Sequence, residues 1–500
     1  MPKYIFSLGL IPVQEFIAEA RRSRDLRAGS AMLSWFMRKT LIYLREKHHA
    51  EILLPHKDCL NSGDPPFPEI MDEVAYSLPN RASGHFDADT TREVFQNLPQ
   101  LCLQTNWETL FHEFYEKRDY SQKNMGGYRQ IFIDAFHGSQ CPIDLIWVAA
   151  PYDAKVDEAA NLEKVDQLYA NVKRTRPIRE WHGKSVGKCD QCGRREAVGA
   201  SDDYDKWWKW QKSLRDQQWV KSGARLDAGE RLCTVCFAKR FAGYAGTREF
   251  PSTSGVAARQ WAQQLSNCAD LNVRTAFTRY ADLLKRFEDG DSLYYKRGFE
   301  KKREDDEIKA LLLPLQKARQ ELAEAIRKKP ELNLKPEPSN YLAVLTFDGD
   351  GMGKKSKDYF AKDLPKQLLE FSHAARTQIM PLKLAEIFYI GGDEGLILTP
   401  IEYALSMALK VRELFISHMQ KIADDITLSM GLAIFDRERP LGNAIRLAHH
   451  ALLAFHELGI RSRSLFANFA ARTLGRGRIL QSRAQRDQTS HVSQAGSSRK

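Results

Sequence analysis

Two apolar runs, Phe388-Tyr389-Ile390 and Leu396-Ile397-Leu398, flank Gly391-Gly392-Asp393-Glu394-Gly395. This pattern predicts a β-hairpin, strands 387–390 and 395–399, with two carboxylates at its turn. The glycines permit the positive φ of a tight turn and let a phosphate or cation come close to the backbone. Upstream, Tyr341-Leu342-Ala343-Val344-Leu345-Thr346-Phe347 reads as a strand that ends in Asp348-Gly349-Asp350-Gly351-Met352-Gly353. Set beside the hairpin, it would bring Asp348 to Asp393 and Glu394. Carboxylates gathered at strand ends repel one another unless cations lie between them, and Mg²⁺ or Mn²⁺ held there can bridge substrate phosphates. Lys354 and Lys355 follow closely enough to meet those phosphates.

The surrounding segments have a definite order. Strand 341–347 is followed by helical material (358–386), the hairpin, a helix (401–420), a strand (426–435) and a helix (440–457). This β-α-β-β-α-β sequence is the ferredoxin-like one, and with its acidic hairpin it resembles the palm of nucleotidyl cyclases. The order recurs near the N-terminus: a strand Tyr4–Leu10, helices after Pro12 and over 31–47, strands near 51–54 and 81–86, a helix over about 90–117, and a strand 143–150. The fold class expected is therefore α+β, with two palm-like domains. The first is degenerate. Gly9, Leu10 and Ile11 stand where Asp348 would, and Asn80-Arg81-Ala82-Ser83-Gly84 replaces the acidic hairpin, so it could hold a nucleotide but no metal pair. Arg21, Arg22, Arg24 and Arg27 either approach phosphate or form a solvated helix face.

Between the palms lie Cys189-Asp190-Gln191-Cys192 and Cys233-Thr234-Val235-Cys236. Two C-x-x-C turns can supply the four thiolates of a structural Zn²⁺, and four thiolates leave no open position for catalysis. Trp207, Trp208, Trp210 and Trp219 could pack over that zinc or stack on bases. Cys59, Cys102, Cys141 and Cys268 stand alone and read as buried free thiols. Residues 258–338 read as helical and highly charged, with a solvated helix interrupted at Pro314 and a Pro-rich linker after it. The formal charge of +11 is uneven: from Arg461 to Lys500 eight Arg and one Lys face Asp487 alone, which puts +8 in the tail and leaves about +3 elsewhere. The expected divisions are 1–155 first palm, 156–257 zinc module, 258–338 helical region and linker, 339–459 second palm, and 460–500 a basic disordered tail. Neither a signal peptide nor a membrane span is evident, and paired cysteines without export signals fit a cytoplasmic protein that binds metal.

Several stretches together resemble the large palm-containing subunit of type III CRISPR effector complexes, closest to the III-B (Cmr-type) branch. They are Gly9 to Ser30 with its Pro-Val-Gln-Glu-Phe-Ile helix, Ser77-Leu78-Pro79-Asn80-Arg81, Gly229 to Arg240, Phe250-Pro251-Ser252-Thr253-Ser254, Asp348 to Gly353 and Gly391-Gly392-Asp393. The resemblance implies an RNA-guided antiviral complex with other protein subunits, crRNA and target RNA as partners. It implies that two ATP molecules lie between the palms and are joined 3′–5′ into cyclic oligoadenylates. Asp348, Asp393 and Glu394 would be catalytic, with Asp348 and Asp393 as Mg²⁺ or Mn²⁺ ligands. Gly349, Gly391, Gly392, Lys354, Ser30 and Gln14 would contact nucleotide.

Three departures accompany it. No His-Asp nuclease motif precedes the first palm. Glu394 stands where most relatives have Asp. A helical C-terminal domain, and a Lys near Ala454-Phe455, give way to the Arg/Ser-rich tail, which suggests a truncated chain. The readings that follow are an oligoadenylate cyclase subunit, an inactive nucleotide-binding scaffold of the same complex, and a free-standing diguanylate cyclase.

Overall fold

The computed structural model describes residues 3–61, 67–72, 78–87, 91–111, 141–175, 187–197, 230–242, 250–287, 290–302, 306–352, 363–457 and 467–470. Strands β1 (Lys3–Ile11), β2 (Glu51–Leu54), β3 (Arg81–Asp87) and β4 (Asp144–Pro151) form an antiparallel sheet in the order β2-β3-β1-β4. In the second sheet β5 (Tyr341–Gly349), β6 (Glu386–Gly391), β7 (Glu394–Pro400) and β8 (Leu428–Asp436) take the order β6-β7-β5-β8. The same permutation thus appears twice. Helices occupy matching places in the two: α1 (Val13–Ala18) and α2 (Ser23–His48) after β1, Leu364–Ile379 after β5. β1 and β5 are hydrogen-bonded on both sides and buried along most of their length, which is why they read as nearly continuous apolar runs.

The two faces of the second sheet have different partners. Ala343, Leu345, Phe347, Ile387 and Ile397 pack under the sheet's own helices around Phe371, Val411 and Phe415. Leu342, Val344, Phe388, Leu396 and Leu398 face the other way and join the core of the first sheet, beside Trp35, Phe36 and Phe250. The palms therefore share one apolar interior, and the second sheet buries both faces.

Polar groups lock this junction. Arg27 on α2 is 3% exposed; its Nη1 donates to Phe388 O at 2.9 Å and its Nη2 to Ile70 O at 3.4 Å. Arg24 Nε donates to Phe250 O at 3.0 Å, and Arg22 lies 4.0 Å from Glu230. Arg21 is exposed, but the reading of this basic run as a solvated face is corrected for Arg22, Arg24 and Arg27, whose side chains point into the fold. They are internal ties, a role that composition does not distinguish from surface charge.

Two further expectations are corrected. The helix Asp306–Arg327 runs unbroken through Pro314 and is not a solvated rod. Leu312, Leu315, Ala318, Leu322 and Ile326 recur at helical spacing and bury against Trp261, Phe277 and Tyr280 of the preceding helices, and this packing outweighs the hydrogen bond lost at proline. Ala467–Ala470, assigned by composition to a disordered tail, pairs in parallel with β8 as a fifth strand. The rest of the tail, the four tryptophans of 207–219, Lys354 and Lys355 lie outside the described residues. No helix among the described residues is long and apolar enough to cross a membrane.

Replacing Arg27 with Met should keep the volume but leave Phe388 O without its charged donor. Hydrogen bonds to charged groups contribute about 1.5–3 kcal/mol, so a loss of about 2 kcal/mol is expected in denaturant unfolding. An unchanged midpoint would show that the tie does not hold the palms together.

Candidate functional site

The four cysteines come together as their spacing predicts. Their sulfurs all lie within 4.8 Å of one another, the one such group of metal-ligating side chains among the described residues. Cys192 Sγ and Cys233 Sγ are 3.9 Å apart, close to the ~3.8 Å separation that tetrahedral bonds of about 2.3 Å require. The first turn is closed by Gly193 N donating to Cys189 O at 2.8 Å, with Gly193 at φ +68°. The second opens the helix Thr234–Ala242, where Cys236 N points at Cys233 Sγ, 3.5 Å away. Arg195 Nη1 lies 3.7 Å from Cys233 Sγ and offsets thiolate charge. The Cys236 thiol, hydrogen-bonded to the sulfurs of Cys189, Cys192 and Cys233 and buried, is held well above the usual thiol range. The cluster can hold a metal ion such as zinc.

The acidic turn is built by β6 and β7. Gly391 pairs with Glu394, leaving Gly392 and Asp393 as the two-residue loop, and Gly392 has φ +67°. Glycine at the first central position with positive φ is what a type II′ hairpin needs. Beside it, a Cβ placed on Gly349 at the end of β5 would stand 2.9 Å from Asp393 Cβ and 3.1 Å from Asp393 Oδ2. Gly349 is thus a cradle that only a residue without a side chain can form. Asp348, Asp393 and Glu394 meet at this end of the sheet, all three partly buried. Desolvation, then the charges of Asp348 and Glu394, push Asp393 up to about 8. Glu394 is pushed up to about 7 by desolvation and Asp348, while the amides of Asn80 and Gln14 pull it down. This charge crowding fits a divalent cation. The three carboxylates do not, however, draw their oxygens within 4.8 Å of one another.

The other expected residues have definite places. Gln14 Nε2 donates to Tyr389 OH at 2.8 Å, so the first palm touches the hairpin strand directly. Gly391 faces Leu78 and Pro79, with Leu78 O 3.3 Å from where its Cβ would be. Ser30 is 4% exposed inside α2. Asp350 is tied to Thr427 and Ser429, whose hydroxyls donate to its carboxylate.

Two family models match this architecture. Residues 341–460 match the second palm domain of Cas10/Cmr2, and residues 5–80 match the N-terminal part of the CRISPR-associated protein Cmr2. The chain resembles a type III, Cmr-type large subunit. Its fold is similar to that of a chain of type III-B Cmr-beta in the apo state, with a TM-score of 0.57 and 13% identity over 96% of this chain and 70% of that one. It is also similar to a chain of Cmr-beta bound to cognate target RNA, at TM-score 0.56 and 12% identity, covering 94% of this chain and 70% of that one. At such identity the likeness to these structures is one of fold. No curated protein matches by sequence.

Sequence reasoning missed the cavity between the palms. About 280 Å³ of space lies between the palms, with Asp393 and Gly392 on its wall. Leu364, Leu368 and Met352 make one side apolar, while Ser83, His373 and Arg376 bring polar groups from both palms. Asn80 was missed as well: its Nδ2 donates to Glu394 Oε1 at 3.3 Å. These residues come from four separate segments, and nothing in their local patterns announces the meeting.

Two outcomes are expected. Elemental analysis of the purified chain should find about one zinc per molecule, and Cys233→Ser should remove it; a folded, metal-free wild type would contradict the cluster reading. The second concerns pH. Ionising Asp393 and Glu394 inside the fold is unfavourable, so their contribution to stability falls as pH rises from the ordinary carboxylate range toward about 8. A divalent cation binds the ionised form and opposes this loss. The rise in melting temperature caused by Mg²⁺ should be larger at about pH 8 than at about pH 5, and equal rises at both would refute the assignment.

Proposed function

We propose that this chain is the nucleotide-joining large subunit of a type III CRISPR effector complex. In this reading it converts ATP to cyclic oligoadenylates once target RNA is bound. The observation that carries the reading is the juxtaposition of Asp393 with a cavity walled by both palms. The cavity is near the ~300 Å³ lower end of small-molecule sites and carries a few polar groups on an apolar wall, as a base pocket requires. Support for the complex and its RNA comes from the family models and from a similar chain solved with cognate target RNA.

The chain's own residues divide the work. Leu364, Leu368 and Met352 would cover the faces of the adenine ring, and Ser83 and His373 its edge. The Gly391-Gly392 turn gives phosphate access to backbone, and Asp348 and Asp393 would hold two divalent cations, with Glu394 beside them. Such cations lower the pKa of a ribose 3′-hydroxyl and stabilise a pyrophosphate leaving group. The hydroxyl oxygen of one ATP bonds to the α-phosphorus of another, the bond from that phosphorus to pyrophosphate breaks, and the hydroxyl proton passes to solvent. Zinc at the four cysteines would be structural. A second reading, a scaffold that binds nucleotide without joining it, is favoured by the separation of the three carboxylates.

The test is the assembled complex with guide RNA, target RNA, Mg²⁺ and labelled ATP. Wild type should yield oligoadenylates, and Asp393→Asn should lower the rate by about a hundredfold or more while zinc content stays the same. Leu368→Trp, which fills the cavity, should abolish ATP binding. Product-free wild type would leave the scaffold reading standing.

A further inference from the structure

The hairpin tip of the second palm does not end in open solvent. The turn Leu78-Pro79-Asn80 of the first palm lies across it, with Pro79 Cβ 3.8 Å from where a Cβ on Gly392 would stand. This turn is itself anchored, since Leu10 N donates to Asn80 O at 3.0 Å. From that anchor the Asn80 amide reaches Glu394 Oε1 at 3.3 Å. A second first-palm amide, Gln14, donates next door, to Tyr389 OH at 2.8 Å. The other palm therefore meets the hairpin twice, with the Asn80 amide on Glu394 and the Gln14 amide on Tyr389.

A shared cation sets a different requirement. Oxygens bound to one Mg²⁺ at about 2.1 Å stand at most about 4.2 Å apart. The oxygens of Asp348, Asp393 and Glu394 are not all within 4.8 Å of one another, so the three do not form a single ligand set. Asp393 is the acid seated in the Gly349 cradle at the end of β5. Glu394 is the one claimed by the first palm, and its extra methylene extends its reach by about 1.5 Å over an aspartate.

We propose that Glu394 is a positioning residue, held by Asn80 as a latch between the palms, and that the cation pair is Asp348 and Asp393 alone. The division of labour rests on the nucleotidyl reading above; the latch does not. It explains why a glutamate suits this turn: an aspartate would stop short of Asn80. It also gives the first palm a direct part in the site, by fixing the tip that presents Asp393.

The full-length chain tests both halves. Mn²⁺ binding is followed by electron paramagnetic resonance with a non-hydrolysable ATP analogue present. Asp393→Asn should weaken it at least tenfold, whereas Glu394→Gln should change it by less than about threefold. In parallel, melting temperatures in EDTA are measured for Asn80→Ala, Glu394→Ala and the double variant. A latch predicts that the double variant loses clearly less than the sum of the single losses, and that Glu394→Asp falls about as far as Asn80→Ala. If Glu394→Gln weakens Mn²⁺ as much as Asp393→Asn, Glu394 is a ligand and the proposal fails. If the two alanine effects simply add, there is no latch. Wild type that binds no Mn²⁺ would overturn the assigned cation pair and the nucleotidyl reading, while the melting data would still decide the latch.

Discussion

A guanidinium sealed from solvent holds the N-terminal half of the protein together. Arg240 has no exposure, and it donates from Nε and Nη2 to Asp25 and from both terminal nitrogens to Glu230. Its neighbour Lys239 is also fully buried, with its ammonium on the carbonyls of Phe16 and Glu19. Burying such charges costs several kcal/mol each unless partners surround them, and removing one partner leaves the other stranded. The helix that carries Cys236 is therefore committed to one place against α1 and α2. So is the cysteine cluster, because Gln191 Nε2 and the Arg195 guanidinium both close on Glu19.

That commitment propagates toward the acidic turn. α1 is short, and the carbonyl groups at its end are taken by Lys239 and Gln191, while Arg194 pairs with Glu15. From its first turn Gln14 reaches Tyr389. The thiolate site and the hairpin strand are thus separated by one small helix pinned at both ends. A metal at the cysteines would help to set where the Gln14 amide points.

Much of this was legible in the chain, for physical reasons that can be named. The second palm announced itself because both strand periodicity and turn chemistry act locally: Gly392 is where a positive φ is needed, and β5 and β7 are apolar because both their faces are covered. The cysteine cluster was legible because C-x-x-C spacing alone places two sulfurs on one side of a turn. What escaped notice was decided by distant partners. Arg27 looks like any surface arginine until Phe388 O arrives beside it, and Pro314 looks like a helix end until Leu312, Leu315 and Leu322 pack down. Asn80 and Ser83 are ordinary turn and strand residues whose roles depend on the opposite palm. Even the acid pair was only half legible: its crowding was foreseen, its division between a cradle at Gly349 and an amide at Asn80 was not.

The separation of Asn80 from Glu394 by 314 residues also has a meaning in time. A ribosome adding about 5–20 residues per second needs on the order of fifteen seconds to a minute to travel that distance. Through that interval the first sheet's strands can pair, since β1 to β4 bond only to one another, but its 78–80 turn and the side of α2 that meets the second palm have no cover. The acidic turn is made after the first-palm surface it meets. A chain released early would display that surface to whatever is nearby.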